Sequence, residues 1–320
     1  MIQLGQDDSR ARHLDRQPTQ DSTAAPLTAR DRQLAVLGFN FVLDLAGDGI
    51  PGLRPLESLL VMAVNQANIA PLTRDPVARR RYGALGAPAP DEIRRPVSVR
   101  AVAASMQLPY ETARRNIRRL EGLGVCATSE AGVVVPAAFM LTPTYFEAAR
   151  RWHEQLFGLY RVIEARRLLD PLPAPNYAET EPPVRGAVRL LSDFLLRCAE
   201  ATVSRTGDLV AGLVILPLLA LAAGAEGAPA PMSAAALARR TRLPAETVRR
   251  HAVALVERGV CVSGRSGLVL ADPELNSPAW RGLLQDNAVA VQRMYAGLAE
   301  RGVVAVWDQL AGPEAGAAAG

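Results

Sequence analysis

Leu108–Cys126 reads LPYETARRNIRRLEGLGVC, and Leu243–Cys261 reads LPAETVRRHAVALVERGVC. Both open on Leu-Pro and close on Gly-Val-Cys. Between those ends the apolar residues fall at i, i+4, i+7: Ala113, Ile117 and Leu120 in the first stretch, Val248, Ala252 and Leu255 in the second. That period defines one buried stripe on a helix. Pro109 suits the first position of such a helix, and Gly124 stands where a helix ends in positive φ. The arginines of the first stretch, Arg114, Arg115, Arg118 and Arg119, lie off the stripe. The second keeps Arg249 and Arg250 but has Val253 and Ala254 in the other two places.

The likeness extends well beyond these helices. Pro96–Pro136 aligns without gaps on Pro231–Ala271 at a constant shift of 135 positions (231 less 96), pairing Ser98 with Ser233, Glu111 with Glu246, Thr112 with Thr247 and Gly132 with Gly267. The same shift carries Thr142-Pro143 onto Ser277-Pro278 and Tyr160 onto Tyr295. Upstream, a shift of 153 (194 less 41) pairs Asn40-Phe41 with Asp193-Phe194, and LESLLVMAVNQANI with LVAGLVILPLLALA. The first copy therefore carries 18 extra residues (153 less 135), in the loop Ala70–Arg95. An internal repeat of this length is a duplicated domain rather than a solenoid unit.

Each copy implies the same order of elements. Helices are expected around Leu34–Leu45 and Leu56–Ile69, then a short helix capped by Ser98. A tight turn at Gln107-Leu108 leads into the arginine helix. Two short β-branched runs follow, VCAT and VVVP around SEAG, with VCVS and LVLA around GRSG in the second copy. Each pair reads as a hairpin. A long helix from Thr142-Pro143 to about Leu169 closes the unit, with Tyr145, Ala149, Trp152, Leu156, Tyr160 and Ile163 on one face.

Val97–Pro136 and Met232–Ala271 thus resemble the DNA-binding domains of bacterial winged helix-turn-helix transcription regulators of the MarR/IclR/GntR kind. Those carry a similar Leu-Pro/Ser-x-x-Thr-Val-x-Arg run and a Leu-Glu-x-x-Gly-Val ending before the wing. The resemblance spans about 40 residues per copy. It implies a mainly α fold with small β-hairpin wings, namely tandem duplicated winged helix-turn-helix domains with flanking long helices.

It also implies double-stranded DNA as partner. With the apolar stripe inward, Tyr110, Glu111, Arg114, Arg115 and Arg118 face outward, toward the major groove of the resembled domains. Arginine there pairs bidentately with guanine or clamps a phosphate. Thr112 and Thr247 suit phosphates at a helix N-terminus. Glu111 either caps its own helix or accepts from a cytosine amino group. Arg249 and Arg250 repeat the grip in copy two, Arg118 and Arg119 add to copy one alone, and Arg265 at the second wing tip suits a minor groove. The bland alternative for every one of these arginines is a solvated helix face or loop.

Other features exclude more than they propose. The basic side is all arginine, since no lysine occurs, and a net charge of +4 permits an anionic partner without requiring one. Cys126, Cys198 and Cys261, with His13, His153 and His251, have no metal-ligand or disulfide spacing, so no metal, no cofactor and a reduced, cytoplasmic, nucleoid-associated setting are expected. Cys126 and Cys261 read as small core residues. GDGIPG, Gly47–Gly52, matches GxGxxG but reads as a turn between helices, because no strand precedes it. Leu209–Ala223 is too short for a membrane span and is broken by Pro217; as the counterpart of an amphipathic helix it reads as core. Arg79-Arg80-Arg81 is either a phosphate grip or a solvated loop. Trp152, Tyr160, Trp280 and Tyr295 either pack between helices or line an effector pocket. No nucleophile has a matched base, so an enzyme is not expected.

The expected organisation is a disordered arm over 1–29 and a first repeat over 30–170, with its winged helix at 56–140 and long helix at 142–169. A Pro-rich linker at 171–185 leads to a second repeat over 186–310, with a winged helix at 208–275 and a long helix at 277–302. A disordered tail fills 311–320. Two units in one chain form a built-in pseudo-dimer with unequal half-sites. RNA polymerase, a homodimer partner and an unidentified small-molecule effector are the further partners this reading admits. The alternatives are a tandem winged-helix protein-interaction factor in chromosome segregation, or a replication initiator.

Overall fold

Residues 27–272 and 275–311 are described by the computed structural model; of the expected arm (1–29) and tail (311–320), residues 1–26 and 312–320 lie outside them. Thr28 and Asp31 exchange hydrogen bonds in a capping box, so α1 (Ala29–Gly47) begins inside the stretch expected as an arm. α2 (Pro55–Thr73) follows across the Gly47–Gly52 turn, where Gly52 takes φ +82°. The loop after α2 is more structured than expected, with α3 (Pro76–Arg81) and a 3-10 turn at Asp91–Ile93.

Next come α4 (Val99–Ser105), α5 (Tyr110–Gly122), β1 (Ala127–Ser129), β2 (Gly132–Val134), α6 (Ala137–Met140) and α7 (Pro143–Ala165). The later half holds α8 (Val184–Thr206), α9 (Leu209–Gly224), α10 (Ala234–Thr241), α11 (Ala245–Glu257), β3 (Cys261–Gly264), β4 (Gly267–Leu270), α12 (Pro278–Glu300) and α13 (Val303–Ala311). The architecture is mainly helical, with two small antiparallel hairpins.

Local chemistry explains the matching stretches. Ser98 and Ser233 cap α4 and α10 by accepting from Ala101 N and Ala236 N, each at 3.1 Å. Gln107 and Arg242 then take φ of +51° and +53°, a left-handed turn that costs a side-chain-bearing residue about 1–2 kcal/mol. Pro109 and Pro244 are the N-caps of α5 and α11, one position earlier than the sequence suggested. Gly124 and Gly259 take φ +71° and +68° just past those helices.

Both hairpins share one register, Thr128 opposite Val133 and Ser263 opposite Leu268. A single antiparallel bridge joins each to the segment before the cap, Val97 to Val133 and Met232 to Leu268. Gly132 is required there, because a Cβ would lie 2.6 Å from Val97 O, and Met232 O crowds Gly267 in the same way.

One apolar core runs through both halves. Phe41, Val42 and Leu43 are buried in succession, so α1 must be covered on several sides. It packs mainly against α9 and α12 of the later half, while α8 lies on α12, α9, α7 and α2. A first repeat closed on itself is therefore not what α1 builds; it crosses to the other half. Arg240 on α10 fastens it there, donating to Asn40 Oδ1 at 2.9 Å and Asp44 at 2.7 Å.

Rings meet along the same seam: Phe41 and Phe194 at 6.4 Å, Tyr160 and Tyr295 at 5.7 Å between centroids. The long helix α7 stops at Ala165, four residues before the expected Leu169, and Arg167 turns at φ +53°. Beyond α12 the chain turns at Gly302 into α13, where Trp307 packs on Tyr160 and Phe157 of α7.

No single described helix is long and apolar enough to cross a membrane. Most of α9, including Pro217, is buried. The Pro-rich segment is tied down rather than loose: Asn176 N donates to Glu300 O, and Glu179 pairs with Arg80 at 3.1 Å.

Candidate nucleic-acid interface

α5 buries Ala113, Asn116, Ile117 and Leu120. Its outer face carries Tyr110, which is 44% exposed, with Glu111, Arg115, Arg118 and Arg119, while Thr112 and Arg114 are half-buried. The N-terminus has no side-chain cap. Glu111 does not cap it, contrary to one of its two expected roles. Instead both its carboxylate oxygens accept from Arg114 Nη1 at 3.2 Å. An exposed pair of this kind stabilises by at most about 1 kcal/mol, so an incoming phosphate or guanine can displace it.

Arg115 and Arg118 have no ion-pair partner among the described residues. Tyr110 lies under Arg100 of α4, with the guanidinium 5.8 Å from the ring centroid. That contact brings a further cation, not singled out by the sequence, to the edge of the same face.

Arg119 sits differently. Its Nε donates to Glu57 Oε1 at 2.9 Å, and Glu57 is fully buried on α2. Arg54 adds its own N–H and its guanidinium to that carboxylate, and also reaches Asn116 Oδ1 at 3.1 Å. Burial pushes the Glu57 carboxyl up, but the hydrogen bonds from Arg54 and the charges of Arg54 and Arg119 outweigh it and hold the group below the usual carboxylate range. Arg119 thus spends its charge on joining α5 to α2.

Asn116 was hidden in the sequence by its polarity. Its only signal is its place, between Ala113 and Ile117 on the buried arc.

The later half repeats the frame with other anchors. Arg249 and Glu246 pair at 2.8 Å, and hydrogen bonding from Arg249 holds the Glu246 carboxyl down. Arg250 is exposed and Thr247 half-buried. α11 buries only Val248 and Leu255; Ala252, expected on the stripe, is half-buried. In place of a Glu57–Arg119 pair, His251 Nδ1 lies 3.3 Å from Asp208 at the start of α9, and Arg258 donates to Thr206 O. Arg265 projects from the exposed β3–β4 turn, where the first hairpin has Glu130.

Several of the remaining candidates pack against neighbouring elements. Of the loop arginines, Arg80 pairs with Glu179 and lies over the Tyr177 ring, and Arg81 lies over Tyr82. Arg80 therefore docks the loop on the Pro-rich segment. Trp152 Nε1 donates to Asp48 O at 2.8 Å, and Tyr295 OH to Leu156 O at 3.1 Å. Tyr160 also borders an open cavity of about 550 Å³ between α7, the Pro-rich segment and α13. Burial pushes the thiols of Cys126 and Cys261 up to about 12, which suits core residues. Among the described residues no His/Cys/Asp/Glu group could hold a metal ion. Comparisons with protein-family models, curated proteins and solved structures return no match.

Proposed function

We propose that the chain is a sequence-specific regulator of transcription that binds double-stranded DNA through two tandem winged helix-turn-helix units, joined as an intrachain pseudo-dimer. The observation that carries this reading is the doubled frame: α5 and α11 each follow a capped helix and a left-handed turn, precede a hairpin of the same register, and carry an arginine pair at corresponding places. A lone basic helix has no such context.

The pseudo-dimer is supported by what meets at the seam. Phe41 corresponds to Phe194 in the repeat, and Tyr160 to Tyr295; each touches its own counterpart. In a twofold assembly, residues near the axis do just that. On this reading Arg114, Arg115 and Arg118 read or grip the first half-site, with Tyr110 and Thr112 at its phosphates. Arg249, Arg250 and Thr247 serve the second half-site with Arg265 in a minor groove. Arg119 positions α5 through Glu57.

The second unit also exposes Val253 and Val262, at 50% and 53%. Val253 stands where the first unit has Arg118, which favours a protein contact as a second reading for that face. Genome-wide mapping of bound DNA tests the whole reading. Sites at promoters are expected; sites clustered at one origin point to a replication initiator, and no bound DNA overturns the proposal.

A further inference from the structure

Arg240 and Arg242 stand at the left-handed turn that leads from α10 into α11. Arg240 donates to Asp44 Oδ1 at 2.7 Å, and to Asn40 O and Oδ1 at 3.1 and 2.9 Å. Arg242 donates to Gly47 O at 2.8 Å and to Asp48 Oδ1 at 3.0 Å. A Cβ on Gly47 would collide with the Arg242 guanidinium, so the first glycine of GDGIPG is what lets this arginine lie on the end of α1. One exposed ion pair would contribute little, but two arginines sharing five acceptors on one helix form a network.

The first unit meets α8 differently. The two shifts of the repeat put Ser105 and Gln107 in the places of Arg240 and Arg242, and put Arg197, Glu200 and Ala201 in the places of Asp44, Gly47 and Asp48. The backbone turn is the same, with φ +51° at Gln107 and +53° at Arg242. Its side chains are not. Ser105 Oγ turns back to Val102 O at 3.0 Å, and no hydrogen bond joins Ser105 or Gln107 to α8 among the described residues. Instead Gln107 faces Arg197, Glu200 and Ala201 across an open cavity of about 430 Å³. The hold on α8 lies at α2, where Gln66 donates to Arg189 O at 2.7 Å and Asp193 Oδ1 at 2.8 Å.

We propose that Arg240 and Arg242 are positioning residues that clamp the second unit to α1, and that the first unit, held at α2 and open at its α4–α5 turn, pivots on α8. For its consequence the inference rests on the DNA reading: α11 meets its half-site at a fixed angle, and α5 at an adjustable one. A base pair inserted between the half-sites shifts one of them by about 3.4 Å and turns it by roughly 35° about the duplex. A pivoting unit absorbs part of that change, and a clamped unit does not.

Two measurements on the full chain decide it. Electron-resonance distance distributions need no DNA, and the three native cysteines are buried, so labels go selectively to exposed sites. Glu130→Cys and Arg265→Cys at the hairpin tips are each paired with Glu154→Cys on α7. The first distribution is expected to be the broader, and to narrow when Ser105→Arg with Arg197→Asp copies the clamp into the first unit. The second is expected to broaden in Arg240→Ala, Arg242→Ala. On DNA, one inserted base pair is expected to cost the unaltered chain less than about tenfold in affinity, the effect of one lost base contact, and to cost the Ser105→Arg, Arg197→Asp protein more. If either variant does not fold, the two widths in the unaltered chain decide alone. Equal widths overturn the pivot whatever DNA does. Widths as expected with no duplex bound keep the pivot and overturn the DNA reading.

Discussion

Tyr160 on α7 and Tyr295 on α12 meet with ring centroids 5.7 Å apart, and each hydroxyl is held: Tyr160 by Asp308 at 3.1 Å, Tyr295 by Leu156 O at 3.1 Å. With Phe41 against Phe194, the pair fixes how the two halves sit against each other. Because the core is continuous across this seam, the halves should not unfold one at a time.

Tyr295 is fully buried. Tyr295→Ala should cost about 3–5 kcal/mol, the range for losing a large aromatic side chain from a core. Urea unfolding followed by far-ultraviolet circular dichroism and by tryptophan fluorescence should give coincident transitions in both proteins. Separate transitions in the unaltered chain would show that the halves are independent.

Arg114→Ala with Arg115→Ala should abolish sequence preference at the first half-site while leaving the fold intact, since a good bidentate base contact contributes about 1–3 kcal/mol of discrimination. Arg265→Ala should weaken specific and random duplexes alike and reduce the salt slope by about 1. Fluorescence anisotropy at several salt concentrations separates the two. A double variant that keeps its preference at the first half-site would remove α5 from the major groove.

Glu57→Gln leaves Arg119 and Arg54 without a carboxylate and should destabilise by about 1–3 kcal/mol. The folded Glu57 pKa is held below the ordinary 4.5. The stabilisation is therefore fully present above pH 4.5 and is lost as pH falls through the lower, folded value. The Tm difference between the unaltered chain and the variant should shrink over that window. A difference that stays constant down to pH 3 would show that Glu57 acts by packing alone.

Trp307 Nε1 donates to His153 Nε2 at 3.1 Å, which requires a neutral imidazole there, and burial holds the His153 pKa below 6.5. A group kept neutral in the fold stabilises above its unfolded pKa. Stability should fall as pH drops below 6.5, down to the folded value. His153→Gln keeps an acceptor that does not titrate. Chemical unfolding at pH 7.5 and 5.5 should show the smaller loss in this variant.

What could be read in the sequence was local. Ser98, Gln107, Gly124 and Gly132 act on their own turns, so the helix–turn–helix–hairpin frame and its recurrence follow from a few residues. The buried nature of Leu209–Gly224 followed from its alignment with an amphipathic helix. The crossing of α1 onto α9 and α12 was not legible, because a helix buried on several sides does not say which neighbours bury it. Nor was the fate of Arg119, which as an off-stripe arginine matches Arg118. Only the position of Glu57, 62 residues earlier in the chain, separates a helix anchor from a free cation. The burial of Arg94, Arg185 and Arg189 was equally hidden, since an arginine in a loop or at a helix start usually reads as solvated.

The most direct test is selection from random duplex DNA with the intact chain, followed by sequencing of the bound pool. Two dissimilar half-sites about 10–10.5 base pairs apart, centre to centre, are predicted, with the first half-site lost in the Arg114→Ala, Arg115→Ala protein. A pool with no enriched sequence, or the same two half-sites selected by that variant, would contradict the account.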